Sequence, residues 1–168
     1  LGAAQDWRIG YVGGERVLRD SAPAKAAQAK LEAEFSKRQK EIEEIAARLK
    51  ATSEKLEKDA PTLSEAERSR RQRDLVEQDR DFQRKRREFQ EDLNQRKNEE
   101  LAAVVERANK VIKQIFDQEK YDLILQDAVH WSPRVDITKK VIDALNALQV
   151  IEIGSRAARN AGNRPPSS

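Results

Sequence analysis

Few residues in this 168-residue chain could carry out chemistry, and their spacing argues against catalysis. There is one histidine, His130, and there are no cysteines or methionines. His130 stands near Asp127, but nucleophilic catalysis needs a positioned nucleophile and a group to orient its base. No serine or threonine motif surrounds it, so it reads as a turn residue next to Trp131. Without cysteine there can be no disulfide, thiolate metal site or cysteine nucleophile. Gly10-x-x-Gly13-Gly14 lacks both the GxGxxG spacing and the lysine-serine ending of a phosphate-binding loop. It reads as a β-turn leading into a helix. The sequence predicts no enzyme, no cofactor and no metal.

What remains is cationic. Arg68, Arg70, Arg71, Arg73, Arg80, Arg84, Lys85, Arg86 and Arg87 fall within twenty residues. Such a run could contact nucleic acid or anionic lipid. Yet Glu67, Asp74, Glu77, Asp79, Asp81 and Glu88 interleave with it, many at i, i+3 or i+4, as on a salt-bridged solvated face. Arg84 to Arg87 is the part that pairing explains least. Net charge is +3, and residues 25–120 are nearly balanced, with 24 basic and 22 acidic side chains. The tail 154–168 holds three arginines and no acid. The excess owes as much to that tail as to any basic face, which argues against nucleic acid as a partner.

The elements that must position these residues are mostly helical. Charged residues make up 38% of the chain, against about 25% in an ordinary globular domain. The core must therefore be small or shared between subunits. No apolar run reaches eighteen residues, so no segment reads as membrane-spanning. All six glycines lie in 2–14 or 154–162, and Pro23, Pro61 and Pro133 divide the stretch between. Two long segments, 24–60 and 62–132, read largely as helix.

The first segment keeps a heptad. Leu31, Arg38, Ile45 and Thr52 form one column, and Phe35, Ile42, Leu49 and Leu56 the other, a 3.5-residue period that winds against a partner helix. The pattern breaks at 59–64. Ser64 with Glu67 makes a capping box that starts a second helix, so the pair reads as an antiparallel hairpin. Large apolar residues are sparse from 65 to 100 (Leu75, Val76, Phe82, Phe89, Leu93). They crowd from 101 to 116 (Leu101, Val104, Val105, Val111, Ile112, Ile115, Phe116). The hairpin tip is therefore expected to be polar and mobile, and its base to enter a core.

Strand signals sit at the ends. Residues 7–12 alternate and are β-rich. Tyr121–Gln126 reads as a second strand, and Ala128–Trp131 as a third that folds back on it. Asp136 can cap a closing helix with Ile137, Val141, Ile142, Leu145 and Leu148 on its apolar face. So little sheet has open edges and cannot stand alone, which self-association would remedy. The expected organisation is α+β and mostly helical, with a strand-built body of residues 5–22 and 118–150. A helical-hairpin arm takes 23–117, and a disordered basic tail takes 154–168. The small residues of Leu1-Gly2-Ala3-Ala4-Gln5, with the absence of methionine, suggest a processed, exported chain.

Several stretches together resemble the Skp (OmpH-like) family of periplasmic chaperones. Ile9-Gly10-Tyr11-Val12 and Leu31-Glu32-Ala33-Glu34-Phe35 match near the start. Tyr121-Asp122-Leu123-Ile124-Leu125 and the run from Asp136 to Leu145 match the family's closing strand and helix. The resemblance spans roughly residues 7–148. It implies a homotrimer whose strands form an intersubunit β-barrel, with Ile9, Tyr11, Leu123 and Leu125 in its core. Three hairpin arms would surround a cavity that holds unfolded outer-membrane β-barrel proteins in the periplasm without ATP. It also implies a lipopolysaccharide or anionic-membrane contact, which register from Phe89 places on Arg96 and Lys97, with Arg86 or Arg87 contributing. The alternative from the residues alone is a basic coiled-coil protein that binds nucleic acid, although aromatic stacking platforms are missing beside its basic runs. A purely structural coiled coil fits poorly with the break at Pro61 and strands at both ends.

Overall fold

The computed structural model describes residues 6–163, which form two compact units. One comprises the described residues up to Ala29 and those from Glu99 onward, and the other Lys30–Asn98.

The first unit is the body. Strand β1 (Ile9–Tyr11) leads into helix α1 (Gly14–Asp20) and then into α2 (Ala22–Asp59). Pro23 sits in the first turn of α2, where its missing N–H breaks no helical bond. Helix α3 (Glu65–Gln118) returns to strand β2 (Leu123–Leu125), and α4 (Thr138–Gly162) closes the chain. β1 and β2 pair in parallel, Ile9 beside Leu123, Gly10 beside Ile124 and Tyr11 beside Leu125. Parallel neighbours need a long crossover, and here the α2–α3 hairpin is that crossover.

Val12, Val17, Ala108, Val111, Ile115, Tyr121, Ile137, Val141 and Leu145 form the body's core. The dense apolar end of α3 thus belongs to the body. The second unit, at 30–98, is accordingly shorter than the arm of 23–117 expected from sequence. α3 ends on Lys120 in the left-handed region (φ 58°), with the Tyr121 N–H reaching the Phe116 carbonyl at 3.1 Å. That is a Schellman-type stop made without glycine. A Cβ at Gly10 would meet the Ile137 Cδ1 at 3.0 Å and the Tyr121 ring at 3.2 Å, so a larger residue there would require these side chains to give way by a few tenths of an ångström.

Two expectations give way. Ala128–Trp131 is irregular backbone rather than a third strand. The ring of Trp131 is spent on Tyr11 (centroids 3.9 Å apart), and Pro133 opens a short 3-10 turn, Pro133–Val135. Similarly, α4 continues past Gly154 to Gly162, where a disordered tail was expected from 154. Ala157, Ala158 and Ala161 are strong helix formers, and an interior glycine costs only about 1 kcal/mol. Residues 164–168 lie outside those described.

In the second unit the two helices run antiparallel about a 3-10 turn at Ala60–Thr62. Phe35, Leu56 and Phe89 are buried in the seam, and the Phe35 and Phe89 rings meet edge to face at 5.8 Å. Arg38 lies 5.5 Å from each ring and pairs with Asp92 at 2.9 Å. Arg96 grips Glu34 through Nε at 3.1 Å and Nη2 at 3.2 Å, and nearer the tip Arg71 reaches Asp59 at 3.6 Å. The Ser64 hydroxyl accepts from the Glu67 N–H at 3.2 Å and so caps α3 as its spacing foretold.

Candidate functional site

Two surfaces stand out, one on each unit. On the body, strand alternation turns Gly10, Val12 and Ile124 inward and Ile9, Tyr11, Leu123 and Leu125 outward. Tyr11 is covered by the Trp131 ring. Ile9, Leu123 and Leu125 are not, remaining 40%, 45% and 43% exposed, with Trp7 and Val129 exposed as well. Contiguous exposed apolar side chains of this kind mark an interaction face.

This face is held from behind by one polar junction. The Asp136 carboxylate accepts the Thr138 N–H at 2.9 Å, the Trp131 indole N–H at 3.1 Å and the Arg16 guanidinium at 3.4 Å. The Thr138 hydroxyl, fully buried, accepts the Gly13 N–H at 2.9 Å, and the Ile137 N–H donates to the Tyr11 carbonyl at 2.9 Å. Partial burial pushes the Asp136 carboxyl upward in pKa, but the Thr138, Trp131 and Arg16 donors outweigh it and hold the group below the ordinary aspartate value. Asp136 was expected only to cap a helix. It also fixes Trp131 over Tyr11.

Around Tyr121 two cations, Arg8 and Lys140, pair with the Glu119 carboxylate. Arg8 lies 4.5 Å from the ring centroid, and the Lys140 ammonium donates to Glu119 at 2.6 Å and to the Tyr121 hydroxyl at 3.4 Å. The Glu119 bond is the main reason that Lys140 titrates above its usual value. Arg107 ties α3 to α4 through Gln149 at 3.1 Å and through Glu152. Periodicity reveals neither the Arg107 tie nor the Tyr11–Trp131 stack, since both join residues far apart in the pattern.

The arm carries charge with sparse apolar side chains. Arg70 and Arg71 both bind Glu67, whose carboxyl is lowered by them, and Arg84 lies between Asp81 at 3.5 Å and Glu88 at 4.0 Å. Of the four cations assigned to an anion contact, Arg86, Arg87 and Lys97 are exposed. Arg96 is drawn into the seam by Glu34. His130 is exposed. Among the described residues no cluster of His, Cys, Asp or Glu could hold a metal.

The model of the outer membrane protein (OmpH-like) family matches residues 8–145, and the chain belongs to that family. It is 25% identical over 142 residues to the chaperone protein Skp of Yersinia enterocolitica, covering 83% of this chain and 87% of that one. It is 30% identical over 112 residues to chaperone protein Skp of Photorhabdus luminescens, covering 66% and 68%. The fold matches the crystal structure of an OmpH-like outer membrane chaperone from Caulobacter crescentus with a TM-score of 0.71 at 20% identity, over 86% of this chain and 87% of that one.

Proposed function

We propose that this chain is a chaperone for outer-membrane proteins, acting as a periplasmic holdase rather than an enzyme. The observation that carries the reading is the family match from residue 8 to 145, with Skp chaperones among the relatives. Body and arm each supply a physical reason. Ile9, Leu123 and Leu125 leave a sheet too small to bury its own outer face, and three copies closing a barrel there would cover it. The arm offers many charged groups with half-buried apolar residues between them, a surface suited to many weak contacts with a fluctuating chain.

No step in such holding needs a nucleotide, because weak contacts exchange at thermal energies. Arg86, Arg87 and Lys97 are the exposed cations offered to lipopolysaccharide or an anionic membrane surface, and Arg96 contributes less because Glu34 already engages it. No helix of the described residues is long and apolar enough to cross a membrane. The test is dilution of a denatured outer-membrane β-barrel protein into nucleotide-free buffer. Scattering should stay low when the chain is present as trimer in excess over client. Unchanged aggregation, or suppression that requires ATP, overturns the reading.

A further inference from the structure

The seam of the arm is closed near its two ends and open between them. Phe35 and Phe89 are buried toward one end and Leu56 toward the other, whereas Ile45, Leu49 and Phe82 are only half-buried. They line an open groove of about 520 Å³. That lies within the size range of small-ligand clefts, about 300–1,000 Å³, and exceeds the volume of any single side chain. The Thr52 hydroxyl beside it donates back to the Arg48 carbonyl at 2.8 Å, so among the lining polar groups it is already engaged, while Gln78 adds an amide to the apolar part made by Ile45, Leu49 and Phe82.

The rim is charged unequally. Arg48 and Lys85 stand on opposite helices and are exposed. Asp81 is the one carboxylate lining the groove, and Arg84 engages it at 3.5 Å. The groove therefore presents two exposed cations beside the aliphatic and aromatic side chains of Ile45, Leu49 and Phe82 in a lining of mixed polarity. A bare anion would gain the cations but not the apolar side chains, and a basic apolar segment would gain those side chains against the cations. Only a segment bearing both features uses the whole site.

We infer that this groove is a client subsite which takes an extended peptide segment carrying an aromatic or large aliphatic side chain next to a carboxylate. The inference rests on the holdase reading and deepens it. The apolar side chain packs on Ile45, Leu49 and Phe82. The neighbouring carboxylate lies between Arg48 and Lys85. Each ion pair is exposed and individually weak, so the site sorts segments of an unfolded chain without trapping one.

The test uses the full chain and two short fluorescein-labelled peptides, one of alternating Phe and Asp and one of alternating Phe and Lys, each flanked by Gly-Ser. Anisotropy should show the Phe-Asp peptide binding more tightly, by about tenfold if both rim cations engage at exposed-pair strengths. The double variant Arg48→Glu/Lys85→Glu should erase that preference. Amide shifts induced by the peptide should centre on 45–52 and 78–85. Equal binding of the two peptides, an unchanged preference in the variant, or shifts centred elsewhere overturns the inference. So does inorganic phosphate displacing the peptide at millimolar concentration, because the site would then be a simple anion contact. Client holding by the unaltered chain is measured in parallel. If holding succeeds and the peptide does not map to the groove, the subsite alone is wrong. If the peptide maps there and holding fails, the groove stands and the holdase reading falls.

Discussion

The Trp131 ring stacks on Tyr11 with centroids 3.9 Å apart and planes 24° from parallel, and its indole N–H donates to Asp136 at 3.1 Å. One residue in irregular backbone thus covers the outward side chain of β1 and binds the carboxylate that starts α4. Replacing Trp131 with Ala should lower the unfolding free energy by about 2–4 kcal/mol, the worth of an aromatic pair plus a charge-assisted hydrogen bond. Trp131→Phe should recover part of that. The urea midpoint followed by circular dichroism checks both variants, and an unchanged midpoint for Trp131→Ala would show the stack to be incidental.

Asp136 gives the body an acid limb. Its carboxyl is held below the ordinary aspartate value in the folded chain, because donors from Thr138, Trp131 and Arg16 outweigh the effect of partial burial. A group depressed on folding contributes stability above its unfolded pKa, about 3.9, and loses it as pH falls through the folded value. Asp136→Asn should therefore be less stable than the parent at neutral pH, and the gap should narrow as pH falls from about 5 to about 2. Urea midpoints across that range would show a parallel offset if Asp136 were not responsible.

The exposed side chains of the sheet permit a clean separation of assembly from folding. Leu123 is 45% exposed in the single chain, so Leu123→Asp should leave the helical content of the subunit intact. At an apolar interface between subunits, the same carboxylate would be costly to bury. Sedimentation equilibrium should give three chains for the parent and one for the variant at micromolar concentration. A parent that sediments as a monomer would count against assembly through this face.

In the arm, packing should outweigh charge. Phe89→Ala removes a buried ring and should destabilise the arm by about 3 kcal/mol. Glu34→Gln breaks an ion pair that is partly exposed on both sides and should cost less than about 1 kcal/mol. Hydrogen exchange of amides 40–90 reads the difference, with fast exchange along the arm for Phe89→Ala and little change for Glu34→Gln.

The helices were legible in the sequence because their signals are local and periodic. The Phe35–Leu56 column and the crowding at 101–116 each recur at helical spacing, and Phe35 and Leu56 of the first and Val104, Val111 and Ile115 of the second are buried in the structure. The capping serine at 64 declared itself in the same way. The loop before α4 did not. Ala128–Trp131 has the composition of a strand, but the stacking of Trp131 on Tyr11 and the bond to Asp136 decided its path, and both partners lie outside its own pattern. The helix beyond Gly154 was missed because arginine, asparagine and glycine suggest disorder in composition, whereas the alanines between them support the helix. The groove at Ile45, Leu49 and Phe82 was hidden for a different reason: a heptad names which positions face the seam but not where the seam closes.

The most direct measurement is the state of a client bound to the chain. A denatured outer-membrane β-barrel protein is mixed with the chain in nucleotide-free buffer, and the soluble fraction is passed through size-exclusion chromatography with light scattering. A complex of three chains and one client should elute, in which the isotope-labelled client keeps the narrow amide dispersion of an unfolded polypeptide. A client that elutes free, precipitates at the same rate as without the chain, or shows folded dispersion inside the complex would contradict the account.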